Sequence, residues 1–263
     1  MARSSPGPTR FYRPSSGFTI AELLVSIGIF GLVMAICVVA LSQANLIFLN
    51  STGRDSALHE LAKAHAALVA DLELTRASAA TFQQVPVPPS QGAGYDGDSI
   101  NFLTPVYSTT SQAAYGADGS AFWMRNINYY LIVPQNHNSL FSWTCAGAAD
   151  IYGYDDACPH KILVRQVTDQ NSSTPAIPSS VQSLLAPFGP FPRPTGFPRG
   201  ATLNTVAINL LTFRCTQPTQ GQIKIDLRAL SFNDAYKSIS IGSTPLTPTT
   251  YVFEQTFSVF PQN

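Results

Sequence analysis

The chain has 263 residues and equal numbers of basic and acidic side chains, 15 of each, so its formal net charge is zero. Charged residues form only 11% of it, which argues against a basic nucleic-acid surface and against an acidic tail. Twenty prolines favour a loop-rich β domain over a helical bundle, and the length suits one large domain or two small ones.

Residues 1–17 carry Arg3, Arg10 and Arg13 among Pro, Ser and Gly, without an apolar run. A secretory signal places its small-residue cleavage site after an apolar stretch. Here the small residue, Gly17, comes before it. The stretch Ser16-Gly17-Phe18-Thr19-Ile20-Ala21-Glu22-Leu23-Leu24 opens that apolar segment, and from Leu23 to Leu41 it is broken only by Ser26. Nineteen such residues cross a hydrocarbon core of roughly 30 Å as a helix. Arginines on the N-terminal side place that end in the cytoplasm and send the bulk of the chain across. Glu22 is the only charged residue between Arg13 and Arg54. An unpaired carboxylate inside such a helix costs about 2.5–3.5 kcal/mol on insertion scales, so a specific role is expected of it. Cys37, within the apolar run, reads as a small hydrophobe.

Ser42 to Leu49 is mixed but helix-compatible, and Gly53 allows a bend. Leu58, Leu61, His65, Leu68 and Leu72 then recur at spacings of three and four, which predicts an amphipathic helix over about 54–79. Arg54, Glu60, Lys63 and Glu73 fall on its other faces, and His65 reads as a core histidine rather than a ligand.

From residue 100 the period shifts towards two. Gln222–Leu230 alternates most cleanly, and Ile100–Thr104, Ile127–Val133, Lys161–Val167, Thr205–Cys215 and Tyr251–Val259 are further strand candidates. Seven prolines between Pro175 and Pro198 exclude a central strand or a helix there and predict a long exposed loop over 171–200. The fold class is therefore α+β, a long N-terminal helix packed on a C-terminal antiparallel β-rich domain. Its divisions are a basic leader (1–17), a transmembrane helix (18–42), a stalk helix (43–80) and an extracytoplasmic β-rich domain (81–263).

Cys145, Cys158 and Cys215 lie in the part sent across the membrane, where one disulfide and one remaining thiol are expected. Sequence alone does not fix the pairing; closeness and the turn-rich stretch between them favour Cys145–Cys158. Cys158-Pro159-His160 lacks the paired spacing of a zinc site.

Other chemical signals are weak. Gly92-Ala93-Gly94-Tyr95-Asp96-Gly97 matches G-x-G-x-x-G, but prolines precede it and a strand-like segment follows, so the strand–turn–helix context of a dinucleotide site is missing. There is no G-x-S-x-G, H-E-x-x-H or P-loop pattern. His59, His65, His137 and His160 sit in unrelated settings. Asp150, Asp155 and Asp156 form an acidic group of a kind that suits calcium, but without EF-hand spacing it reads as a solvated loop. Asn171-Ser172-Ser173 fits a glycosylation pattern relevant only to a eukaryotic secretory path. No catalytic residue, metal site or cofactor is assigned, and an enzyme is not expected.

The basic leader, Gly17-Phe18, Thr19-Ile20, Glu22 at the fifth position after the glycine, and the apolar run resemble the class III signal of type IV pilins and pseudopilins. The resemblance implies that a prepilin peptidase cuts after Gly17 and methylates the amine of Phe18. It also implies that Glu22 meets the N-terminal amine of a neighbouring subunit. Further partners implied are other pilin or pseudopilin subunits, packed through the N-terminal helix, and an inner-membrane assembly platform. The proline that kinks this helix in many major pilins is replaced here by Cys37-Val38-Val39-Ala40-Leu41. Ile100-Asn101-Phe102-Leu103, Tyr129-Tyr130-Leu131, Leu163-Val164-Arg165 and Leu211-Thr212-Phe213 are similar, as loose patterns, to the larger minor pseudopilins of the J type and the W-type minor pilins. What this implies is a minor or tip subunit of a type II secretion pseudopilus or type IV pilus. It would be held once across a bacterial inner membrane with its β domain in the periplasm. The alternatives are a single-pass membrane-anchored binding or sensor protein, with Gly17-Phe18 uncut, and a protein secreted after cleavage near Ala40–Ala44.

Overall fold

A computed structural model describes residues 17, 19–83, 99–105, 114–123, 125–132, 136, 139, 161–169, 201–231 and 252–261. The chain divides into two compact units, residues 1–49 and 50–263. One helix, α1 (Ile20–Leu72), contributes to both.

In the first unit, every residue of α1 from Ile20 to Leu49 is exposed. Its two hydroxyl groups are satisfied within the helix: Ser26 Oγ donates to the Glu22 carbonyl at 2.7 Å, and Ser42 Oγ to the Val38 carbonyl at 2.8 Å. This removes the only uncharged polar groups that an apolar surrounding would penalise between Leu23 and Ser42.

Among the described residues the second unit holds a seven-stranded antiparallel sheet in strict chain order: β1 (Thr81–Gln83), β2 (Ser99–Thr104), β3 (Arg125–Ile132), β4 (Lys161–Asp169), β5 (Ala201–Thr219), β6 (Gln222–Leu230) and β7 (Val252–Val259). The six strands expected from alternation are all present; β1, three residues long, is too short to carry a readable period. A two-residue turn at Gln220-Gly221 joins β5 to β6, with Gly221 at φ +88°, where a side chain is strained.

The core lies between one face of this sheet and residues 57–72 of α1. Ala57, Leu61, Ala64, Leu68 and Leu72 of the helix meet Ile100, Phe102, Ile127, Tyr129, Leu163, Phe213, Ile225 and Leu227, all at most 2% exposed. The buried stripe thus runs through two alanines and leaves Leu58 42% exposed, which corrects the stripe read through Leu58. The alanines let the helix approach the large side chains of the sheet. His65 is half-buried, its ring edge-on to Phe257 at 4.4 Å between centroids. The helix stops at Leu72 rather than 79. The Thr75 amide closes a tighter turn on the Leu72 carbonyl, and the Thr75 hydroxyl donates to the Leu103 carbonyl of β2 at 2.6 Å, drawing the chain onto the sheet. A single 3-10 turn, Ala77–Ala79, then leads into β1.

On the other sheet face Tyr130, Ile162 and Val164 form a smaller cluster. Asn101, Asn128 and Gln166 lie abreast across β2, β3 and β4, all buried, and Tyr130 donates to Gln166 Oε1 at 2.7 Å.

Strand β5 is shared: Ala201–Leu210 pairs with β4 and Leu210–Thr219 with β6. Between the two halves the register slips on both sides, and Asn209 takes a left-handed φ of 57°. Such a bulge takes backbone donors out of the ladder. The Ile208 amide donates at 2.9 Å to Glu60 Oε2, whose other oxygen accepts Lys63 Nζ at 2.7 Å. Glu60, expected on an outer face, is 7% exposed and joins the helix to the bulge. Replacing Glu60 with Ala strands that amide and costs about 1–3 kcal/mol of stability, whereas Glu60→Gln keeps an acceptor and costs less. Urea denaturation of both variants, with hydrogen exchange at the Ile208 amide, checks this order.

Candidate processing and assembly site

At the start of α1, Thr19 and Glu22 cap each other. The Thr19 amide and hydroxyl both donate to Glu22 Oε2 at 2.9 Å, while the Glu22 amide donates to Thr19 Oγ1 at 3.3 Å. Thr-x-x-Glu at a helix start is a capping box, which satisfies donors that no helical carbonyl can reach. The carboxylate also lies at the positive end of the helix dipole. Glu22 therefore has a role inside its own chain, visible in the spacing of Thr19 and Glu22 but not read from it. Only Oε2 is used; among the described residues Oε1 accepts no bond.

Gly17 is exposed, and a Cβ added to it would meet nothing within 4 Å. Among the described residues, packing gives no reason for a glycine there. Phe18 lies outside the described residues, as do residues 1–16.

From Leu23 to Leu49 the large side chains of α1 stand exposed: Phe30 is 64%, Leu41 70% and Ile47 67% exposed. The helix is long and apolar enough to cross a membrane by length and composition. An uncovered apolar surface of this extent needs lipid or other protein over it. Ala21, Gly28, Ala35 and Ser42 recur every seven residues along it, and added Cβ atoms at Gly28 and Gly31 would meet nothing within 4 Å.

Residues 12–38 match the family model of the prokaryotic N-terminal methylation motif. This match supports a type IV pilin-like protein. The motif implies processing by a prepilin peptidase and assembly with other pilins, and proteins that carry it are structural subunits. Together with a single apolar N-terminal helix it fits anchoring in an inner membrane. No curated protein and no solved structure matches the chain.

Cys145, Cys158, the Gly92–Gly97 loop, Asp150, Asp155, Asp156, His137, His160 and the proline-rich 171–200 lie outside the described residues. Among the described residues no group of His, Cys, Asp or Glu is arranged to hold a metal ion. Cys37 is exposed on α1, and Cys215 is a buried core thiol outside any disulfide.

A second constellation was missed from the sequence. Tyr129 of β3 and Arg165 of β4 stand directly opposite each other, and both reach Asp71 in the last turn of α1. Tyr129 Oη and Arg165 Nε each donate to Asp71 Oδ2 at 2.5 Å, and Arg165 Nη2 donates to Oδ1 at 3.0 Å. The fork of the guanidinium meets the carboxylate with two bonds, the geometry that makes such pairs strong. Desolvation opposes the charge on Arg165, but the hydrogen bond and charge of Asp71 outweigh it and hold the guanidinium above its ordinary value. For Tyr129, burial first and then the Asp71 charge push the phenol far above its usual 10.0.

The sign of the pH effect follows. Unfolded tyrosine loses its proton near pH 10 while Tyr129 in the folded chain keeps it. Its contribution to stability is complete below that pH and declines as pH rises beyond it. Tyr129→Phe costs about 1 kcal/mol at neutral pH. The gap between the two proteins narrows and reverses above pH 10, read from denaturation midpoints at pH 7–11.

Proposed function

We propose that this chain is a minor or tip subunit of a pilin-like filament, of the J or W type. It is cut after Gly17, methylated at Phe18 and assembled through α1. The observation that carries this is the coincidence of three features at one helix end. Among the described residues no packing requires a glycine at Gly17, Glu22 has one unused oxygen, and the helix after it is apolar and exposed. Residues 18–42 span the inner membrane with the leader in the cytoplasm and the β domain in the periplasm. The assembly platform then draws the subunit out of the membrane into a helical array.

Glu22 serves two partners in turn. Oε2 holds the Thr19 amide, and Oε1 accepts the amine of a neighbouring subunit. In an apolar packed core that pair is tolerable, and loss of either partner is costly, so the pair sets the axial register between helices. The seven-residue recurrence of Ala21, Gly28, Ala35 and Ser42 lets neighbouring helices approach closely along one seam. The length of the chain and the absence of a kinking proline favour a minor subunit over a bulk one. A type II secretion pseudopilus suits it as well as a type IV pilus. In the periplasmic domain, with Cys215 buried as a thiol, Cys145 and Cys158 form the disulfide.

The deciding measurement is the intact mass and N-terminal peptide of the protein purified from its native membrane. A chain beginning at N-methylated Phe18 supports the assignment; one still beginning at Met1 or Ala2 indicates an uncut membrane anchor, and one beginning beyond residue 40 a secreted protein. Gly17→Leu leaves the precursor uncut, visible as the retained leader mass. Glu22→Val leaves membrane insertion intact, since the segment becomes more apolar, but abolishes filament incorporation. Equal incorporation of the variant and the unaltered chain in sheared filament fractions would refute the register role.

A further inference from the structure

We propose that the outer edge of β7 is a strand-addition site for an extended segment of a different polypeptide, with apolar side chains at alternate positions and a carboxylate beside Arg54. The sheet has two edges of unlike character. β1 exposes three residues, short enough to be blunt. β7 is eight residues long, roughly 27 Å, and pairs with β6 without a register shift over its whole length. It contains no proline, no lysine and no bulge, the devices by which free edges are guarded. Its one charged residue, Glu254, is drawn sideways to Arg228 of β6 at 3.3 Å. Among the described residues nothing pairs with its outer side.

The side chains beside this edge define the occupant. Phe253 and Phe257 project to the helix side, partly buried against the core, while Glu254, Thr256 and Ser258 are exposed on the other side. Arg54 lies over the Phe253 ring at 5.8 Å, and His65 meets Phe257. An added strand would complete the backbone ladder and place alternate apolar residues over the two rings, the manner in which peptides bind sheet edges. Arg54 is exposed and, among the described residues, has no carboxylate partner, so it favours an acidic side chain on the incoming strand.

A second copy of this chain fits poorly. Antiparallel β7–β7 pairing requires a two-fold axis perpendicular to the sheet, which reverses residues 50–72 of α1 between copies. Subunits whose helices run in one direction cannot pair so. The β1 edge of a second copy offers only three residues. This exclusion rests on the pilin-like role proposed above.

The test places a photoreactive benzophenone amino acid at Ser258, and in a separate protein at Val33 of the spanning helix. Both are full-length chains in native cells, irradiated and mapped by mass spectrometry. The expected result is one Ser258 product, joined to a segment of another protein with alternating apolar residues and an acidic one. Arg54→Glu lowers its yield about two- to five-fold and Arg54→Lys does not, with circular dichroism unchanged. Equal yields from the two variants, or a Ser258 product with a second copy alone, overturn the proposal. Products at Val33 without any at Ser258 overturn it and leave helix-mediated assembly standing. No products at either position overturn both, whereas the expected product at Ser258 without products at Val33 upholds the edge and removes the filament role.

Discussion

Everything in this protein turns on how the apolar surface of one helix is covered. Residues 57–72 of α1 have the sheet: five small or medium apolar side chains lie against Ile, Phe, Tyr and Leu from five strands, β2 to β6. Residues 20–49, in the other unit, are exposed. Transfer of apolar surface out of water is the main favourable term in folding and association, at roughly 25 cal/mol per Å². A helix with Phe, Leu and Ile more than half exposed along its first half is therefore unfinished by itself. Lipid or other protein is what covers an apolar surface of this extent.

The polar groups follow the same division. In the second unit, helix and sheet are joined by carboxylates that each satisfy a defined need. Glu60 takes the amide that the β5 bulge releases, and Asp71 takes the fork of Arg165 and the phenol of Tyr129. These bonds fix the helix on the sheet at two points three turns apart, where apolar contact alone would permit sliding. In the first unit the only carboxylate is at the helix start, half used in its own capping box. Among the described residues its other oxygen is unused, in an otherwise apolar surface.

The sheet adds a complementary asymmetry. One edge is too short to recruit a partner, and the other is long, regular and flanked by two phenylalanine rings. In the role proposed for this chain the N-terminal helix packs on like subunits, and the β7 edge is left for something unlike.

Much of this was legible in the sequence. The methylation motif over residues 12–38 and the apolar run stood out because a membrane-length segment is one-dimensional: its solvent is the same on every side. Six of the seven strands were legible because alternation and proline or glycine punctuation are local. The tertiary structure decided what depends on distant residues. Asp71 and Arg165 are 94 positions apart, and Tyr129 sits in a run that reads as merely apolar. Glu60 looked like a solvated face because the bulge that needs it lies 148 residues downstream. Leu58 gave way to Ala57 and Ala64 because the large side chains across the interface left room only for small ones. Periodicity tells which face of a helix is buried to within a residue or so; the shape of the opposing surface decides the rest.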